Sequence, residues 1–208
     1  MKREKIEALK IILDCAKKYN TNLNNKSLLF IACNKERGVY SFEARFTSSN
    51  FVHLTGIKHV QEITGEKISP SDFLERCINN KLSIKHFDLA EDGTTQLKLE
   101  VLPKLMNPNL SAKMLGKFDD NKTKLYTENI AGSTYGCMGF VKDKKDYYNY
   151  PNTVLNDDIR KNVVCADRIL ITYRKNITDE YYSEIVYKTK KYDFSKLIIP
   201  KYPYLKYS

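Results

Sequence analysis

Tryptophan is missing from the 208-residue chain, and glycine (8) and proline (6) are scarce. So few chain breakers exclude a collagen-like or low-complexity polymer. The 42% of hydrophobic residues, with 15 Tyr and 9 Phe, excludes a disordered chain and calls for a packed core. No apolar run is long enough to span a membrane, and the opening MKREKIEALKIILD is charged throughout, so neither a signal peptide nor a membrane segment is expected. Cys15, Cys33, Cys77, Cys137 and Cys165 are odd in number and scattered, which argues for reduced thiols rather than a disulfide frame and makes the cytoplasm the expected location. No pair has CxxC spacing and no Cys lies within four residues of a His, so no structural zinc is expected. GSTYGCMG (132–139) lacks both the lysine of a P-loop and the GxGxxG of a dinucleotide turn; its glycines mark a strand that another backbone or a ligand approaches closely. Asp119/Asp120 and Asp157/Asp158 do not form a two-metal nuclease pattern. Neither a metal nor a cofactor is expected.

What the chain has in excess is positive charge: 35 Lys and Arg against 25 Asp and Glu, a net +10. Such a field draws in polyanions and makes nucleic acid, RNA in particular, the first partner to test. A lysine-rich proteome accounts for the same excess equally well, so charge alone does not decide function.

Ile6, Leu9, Ile12, Leu13 and Ala16 recur at helical spacing and predict an amphipathic helix over 3–18. SLLFIAC (27–33) and GVYSFEARF (38–46) read as a hairpin, with Tyr40, Phe42, Ala44 and Phe46 on one face and Glu43 and Arg45 on the other. Ser69, Pro70 and Asp72 give a helix start signal for SPSDFLERCINN. TTQLKLEVLPKLM fits both a strand and a helix; the helix is favoured despite Pro103. Beyond Pro108 come extended runs, AKMLGKF, KLYTENIAGSTYGCMGFVK, DRILITYRK and YSEIVYKTK, which read as antiparallel strands. PNTVLNDDIRK between them reads as a short helix or ordered loop. Helices early and strands late define an α+β class. With no repeat or long linker, residues 1–208 are expected to form one domain with an irregular, tyrosine-rich tail (192–208).

RNA carries its own nucleophile, so a proton-transfer group and a few cations suffice to cleave it. Histidine fits the proton role. His53 follows a strand-like run and precedes Thr55 and Gly56, a small hydroxyl and a flexible position that would admit a substrate. The plainer reading is a hydrogen-bonded histidine tying a loop to the core. His59 and His86 read as surface residues. Arg45 could hold a phosphate bidentately or pair with Glu43.

FVHLTGIK, DGTTQLKLEVLPKLM, AKMLGKF, GCMGF and YPNTVLNDDIR, in that order, resemble the phage-associated nuclease family grouped with barnase, EndoU, colicin and RelE-type RNases. The resemblance implies N-terminal helices and a hairpin followed by a curved antiparallel sheet of about four strands. It also implies a metal-independent endoribonuclease that works by 2′-hydroxyl transesterification, as a toxin or effector of phage or mobile elements, for which a protein inhibitor of the antitoxin kind would be a partner. Carried over, the HLTG motif falls on His53 and Thr55. Phosphate-binding cations and a hydroxyl projecting from the sheet are placed at Lys113 and Arg174 and at Ser133 or Thr134, and Arg45 joins them as a phosphate-binding candidate from its own place on the strand. Turn or strand-end roles remain open for Lys113, Ser133, Thr134 and Arg174, as does an ion pair of Arg160 with Asp157 or Asp158. The alternatives in function are a non-catalytic nucleic-acid-binding protein and a structural protein of a mobile element.

Overall fold

The computed structural model describes residues 2–34, 36, 38–59, 68–121, 125–190 and 192–194; the expected tail lies outside them from residue 195 onward. The first helix, α1 (Lys2–Asn22), buries Ala8, Ile12, Cys15, Ala16 and Tyr19, a stripe shifted slightly from the expected one, and Ile6 stays 39% exposed. Tyr19 sits fully inside the core, where its hydroxyl donates to the Thr47 carbonyl (2.7 Å), and burial pushes its pKa up. Strands β1 (Lys26–Asn34) and β2 (Gly38–Phe46) form the expected hairpin, in register from Lys26–Phe46 to Asn34–Gly38.

The sequence NFVHLTG departs from expectation. A 3-10 turn (Ser48–Asn50) leads into a single helical turn, α2 (Phe51–Thr55), so His53 lies on a helix and not behind a strand. The cause is local: Asn50 Oδ1 accepts from the Thr47 N–H (2.8 Å) and hydroxyl (2.9 Å), and Gly56, at φ 69°, ends the turn in the left-handed region. Strand β3 (Lys58–His59) then pairs with β4 (Phe87–Asp88), and between them α3 (Pro70–Ile78) starts on Ser69, whose hydroxyl accepts from the Asp72 N–H at 3.1 Å. The ambiguous segment is helix α4 (Thr94–Leu105), with Pro103 inside it.

The remaining strands are β5 (Met114–Lys117), β6 (Asn129–Ser133), β7 (Gly136–Lys142), β8 (Asn149–Leu155), β9 (Asp167–Asn176) and β10 (Glu184–Lys188). PNTVLNDDIRK therefore begins as a strand and ends in a 3-10 turn (Ile159–Lys161), where Arg160 clamps Asp158 through Nε (3.0 Å). All except β3 and β4 join one eight-stranded sheet, order β1-β2-β8-β7-β6-β5-β9-β10, twice the expected strand number. The hairpin is part of this sheet and does not stand apart from it. An additional antiparallel pairing of β1 with β9 closes the circuit, so the curvature runs to closure. One junction is parallel: Ala44 of β2 pairs with Asn149 of β8, whose side-chain amide donates to the Glu43 carbonyl at 2.8 Å.

Strand alternation sorts the core. Leu28, Phe30, Ala44, Phe46, Met138 and Phe140 face the helices in the main cluster, and Leu29 and Ile31 pack with Leu170, Ile171 and Tyr182 on the other face. The Phe140 ring meets Phe42 (5.5 Å) and Phe46 (6.2 Å) edge-on. At Gly136 a Cβ would meet Val101 Cγ2 at 2.0 Å, so this glycine lets the Val101 side chain of α4 close onto β7, where a backbone or a ligand was expected. Among the described residues no helix is long and apolar enough to cross a membrane.

Candidate active site

In α2 the side chains of Phe51, Val52, Leu54 and Thr55 turn into the core, and His53 is left on the surface. Beside it lies Lys98 of α4, whose Nζ donates to the His53 carbonyl at 3.2 Å. Gly56 makes room for this: a Cβ there would stand 2.7 Å from Lys98 Cδ. Partial desolvation, and secondarily the Lys98 ammonium, hold the imidazole below its ordinary value of 6.5, so the neutral, proton-accepting form prevails near pH 7. Desolvation likewise lowers the pKa of Lys98. The imidazole of His53 makes no hydrogen bond among the described residues. The other two rings are engaged: His86 Nδ1 accepts from the Ser83 N–H at 3.0 Å, and His59 lies against Phe73 with centroids 6.0 Å apart.

Thr55 does not accompany His53 to the surface. It is fully buried, its hydroxyl donates to the Val52 carbonyl at 2.7 Å, and its side chain is a helix-end tie out of reach of a substrate.

Three other expected residues do meet. The Lys113 N–H donates to the Gly132 carbonyl (2.8 Å), and the next register pair is Met114–Gly132, so Lys113 and Ser133 lie side by side at one end of β5 and β6. Thr134 is exposed in the turn that follows. Ser133 also lines a concavity of about 260 Å³ with Lys104, Ser111 and Tyr135. The Ser133 hydroxyl accepts from the Tyr135 N–H at 3.3 Å, so part of its capacity serves the turn.

The two arginines lie elsewhere and differ from each other. Arg174 is committed: Nε and Nη2 donate to both oxygens of Glu184 (2.8 and 2.7 Å), and Nη1 donates to the Asn22 carbonyl (3.0 Å). Its Nε/Nη2 fork is thus taken by a carboxylate in place of the expected phosphate. Arg45 projects from the face of β2 opposite Ala44 and Phe46, away from the helices, and lies flat on Tyr148, 3.1 Å from the ring centroid, with its Nε buried and unpartnered. Glu43, read as its alternative partner, accepts from the Tyr182 hydroxyl at 2.8 Å.

The seven expected residues thus fall in several places. Lys98 escaped sequence reasoning because its proximity to His53 depends on α4 crossing α2, which no local pattern records. Among the described residues no three His, Cys, Asp or Glu side chains gather as metal ligands.

A mixed fold carrying an exposed imidazole beside an ammonium, with further lysines and hydroxyls on the sheet, has the makings of a phosphodiester-cleaving protein. The model of the family phage-Barnase-EndoU-ColicinE5/D-RelE like nuclease4 matches residues 11–191, and the chain belongs to this nuclease family. No curated protein and no solved structure matches the chain.

Proposed function

We propose that the protein is a metal-independent endoribonuclease, a toxin or effector of phage or mobile elements, in which His53 is the general base and Lys98 the cation nearest the scissile phosphate. One observation carries the reading: of the three imidazoles, that of His53 is exposed, biased to the neutral form and without a hydrogen bond among the described residues. Neutral His53 takes the 2′-hydroxyl proton, the oxygen attacks phosphorus, and the bond to the 5′ oxygen breaks to leave a 2′,3′-cyclic phosphate. The departing oxygen takes its proton from solvent. The ammonium of Lys98 offsets charge growing on the phosphate oxygens. Lys113, Ser133 and Thr134, with Lys104 beside them, serve phosphates further along the strand.

Purified protein should cut single-stranded RNA in EDTA and leave cyclic phosphate ends, and His53→Ala should lose at least about a hundredfold in rate. Equal rates in both would remove His53 from the mechanism. Salt-sensitive binding with no cleavage by the wild type would favour the non-catalytic nucleic-acid-binding alternative.

A further inference from the structure

The β7–β8 hairpin closes through KDKKDYY (142–148), a loop tied down by its own acids. Asp143 Oδ1 accepts from the N–H groups of Lys145 (2.7 Å) and Asp146 (3.2 Å), and Asp146 Oδ2 accepts from the Tyr150 hydroxyl (2.6 Å). Both carboxylates are thus occupied in shaping the turn. Lys142, Lys144 and Lys145 are exposed and have no acid partner among the described residues; Lys142 lies over the ring of Tyr147, 5.4 Å from its centroid. On the far side of the loop the stack of Arg45 on Tyr148 stiffens it.

These lysines, with Asp143 and Asp146 between them, form one wall of an open groove of about 710 Å³. Thr47, Ser49 and Asn50 form the opposite wall, fixed by the two hydrogen bonds to Asn50 Oδ1. Tyr126 stands at the rim with 76% of its surface exposed, while the side-chain amide of Asn152 holds its backbone carbonyl. Desolvating nothing in the free protein, such a ring is a platform in search of a flat apolar partner. The wall at Asn50 continues directly into α2, and His53 comes three residues later, roughly 4.5 Å of helix rise.

We propose that this groove holds the single-stranded RNA segment flanking the cleaved bond, with a base stacked on Tyr126 and successive phosphates met by Lys142, Lys144 and Lys145. Lysines with an aromatic platform suit a strand whose base faces are free; a duplex hides those faces, no arginine lines the groove, and the Oδ1 of its one carboxamide, Asn50, is taken by Thr47. The groove therefore binds with little sequence preference. The identity of the strand as substrate rests on the nuclease reading above, whereas the binding itself does not.

The test uses the full chain and a fluorescent 2′-O-methyl oligouridylate of about a dozen residues, which lacks the nucleophile and is not consumed. By anisotropy, Tyr126→Ala should weaken binding roughly tenfold with its salt dependence unchanged. The double variant Lys144→Gln/Lys145→Gln should reduce the slope of log affinity against log salt by about 1.4. Both changes are at exposed positions, and a far-UV spectrum matching the wild type confirms the fold. An affinity of Tyr126→Ala within twofold of the wild type, a slope left unchanged by Lys144→Gln/Lys145→Gln, or equal competition by duplex of the same length overturns the groove. On unmodified RNA the same variants should raise KM for the long strand and leave cleavage of a dinucleotide unchanged. Variants that lose binding, beside a wild type that cuts nothing, uphold the groove and refute the nuclease reading; a wild type that cuts RNA, beside variants that bind normally, does the reverse.

Discussion

The α2–α4 surface and the β9–β10 edge each present a side chain of the kind phosphate chemistry uses, and they put it to opposite ends. At the β9–β10 edge each of the three side-chain nitrogens of Arg174 is engaged, by Glu184 in a two-pronged pair and by the end of α1 through the Asn22 carbonyl, so the arginine staples strand, strand and helix together. At α2 the neighbouring side chains turn inward and the imidazole of His53 is left over, with Lys98 fixed beside it by the backbone. Residue type is the same signal in both regions. Hydrogen-bond accounting separates a group that holds the fold from one that is available to a ligand.

The largest expected effect falls on activity alone. His53→Ala should lower the cleavage rate by at least about a hundredfold, about 2.7 kcal/mol of transition-state stabilisation, while leaving the melting temperature unchanged, because the ring is exposed and unbonded. Arg174→Ala should do the reverse. Urea unfolding should show a loss of about 1–2 kcal/mol, less than for a fully buried pair because Glu184 is half-exposed, with cleavage rates within threefold of the wild type. Thr55→Val is close to His53 in sequence yet belongs with Arg174: it removes a buried hydroxyl donor from the Val52 carbonyl and should cost about 1 kcal/mol in the same assay. A rate loss matching that of His53→Ala, with stability intact, would break the contrast.

The smallest effect is a displacement along the pH axis. A base must be neutral to act, so kcat/KM should rise with pH and level off as His53 loses its proton, with the midpoint below 6.5 because the folded protein depresses that pKa. Lys98→Met removes the secondary cause of the depression and should move the midpoint upward, toward the ordinary value. A midpoint that stays put in Lys98→Met would separate the ammonium from the imidazole.

Local patterns were readable where local physics decides. The N-cap at Ser69 and the hairpin of β1 with β2 both follow from residues a few positions apart, and each is present. In α1 the apolar repeat was legible, but which of its residues face inward was set by the helices packed against it, so Ile6 lies outside and Tyr19 inside, against Phe51 of α2. FVHLTG carries β-branched and aromatic residues typical of strands, but the Asn50 bonds before it and Gly56 after it set a helical turn, which the packing of Phe51 against Tyr19 (5.2 Å) and Phe73 (6.2 Å) then holds in place. The strand count was underestimated because the pairings that enlarge the sheet, β5 with β9 and β2 with β8, join residues far apart in the chain and leave no periodic trace. The partners of Arg174, Asn22 and Glu184, were illegible for the same reason, since they come from elements that composition cannot bring together.

The β1–β9 seam has a consequence for how the chain is made. Residues 26 to 33 lie between β2, synthesised at once, and β9, whose matching stretch runs from 168 to 176. At about 5–20 residues per second, a ribosome needs roughly 7 to 27 s between these two stretches. For that interval one border of a very apolar strand stays open to intermolecular addition. High contact order of this kind also places refolding toward the millisecond-to-second end of the scale. The nascent chain is thus most prone to aggregation before its last fifth emerges.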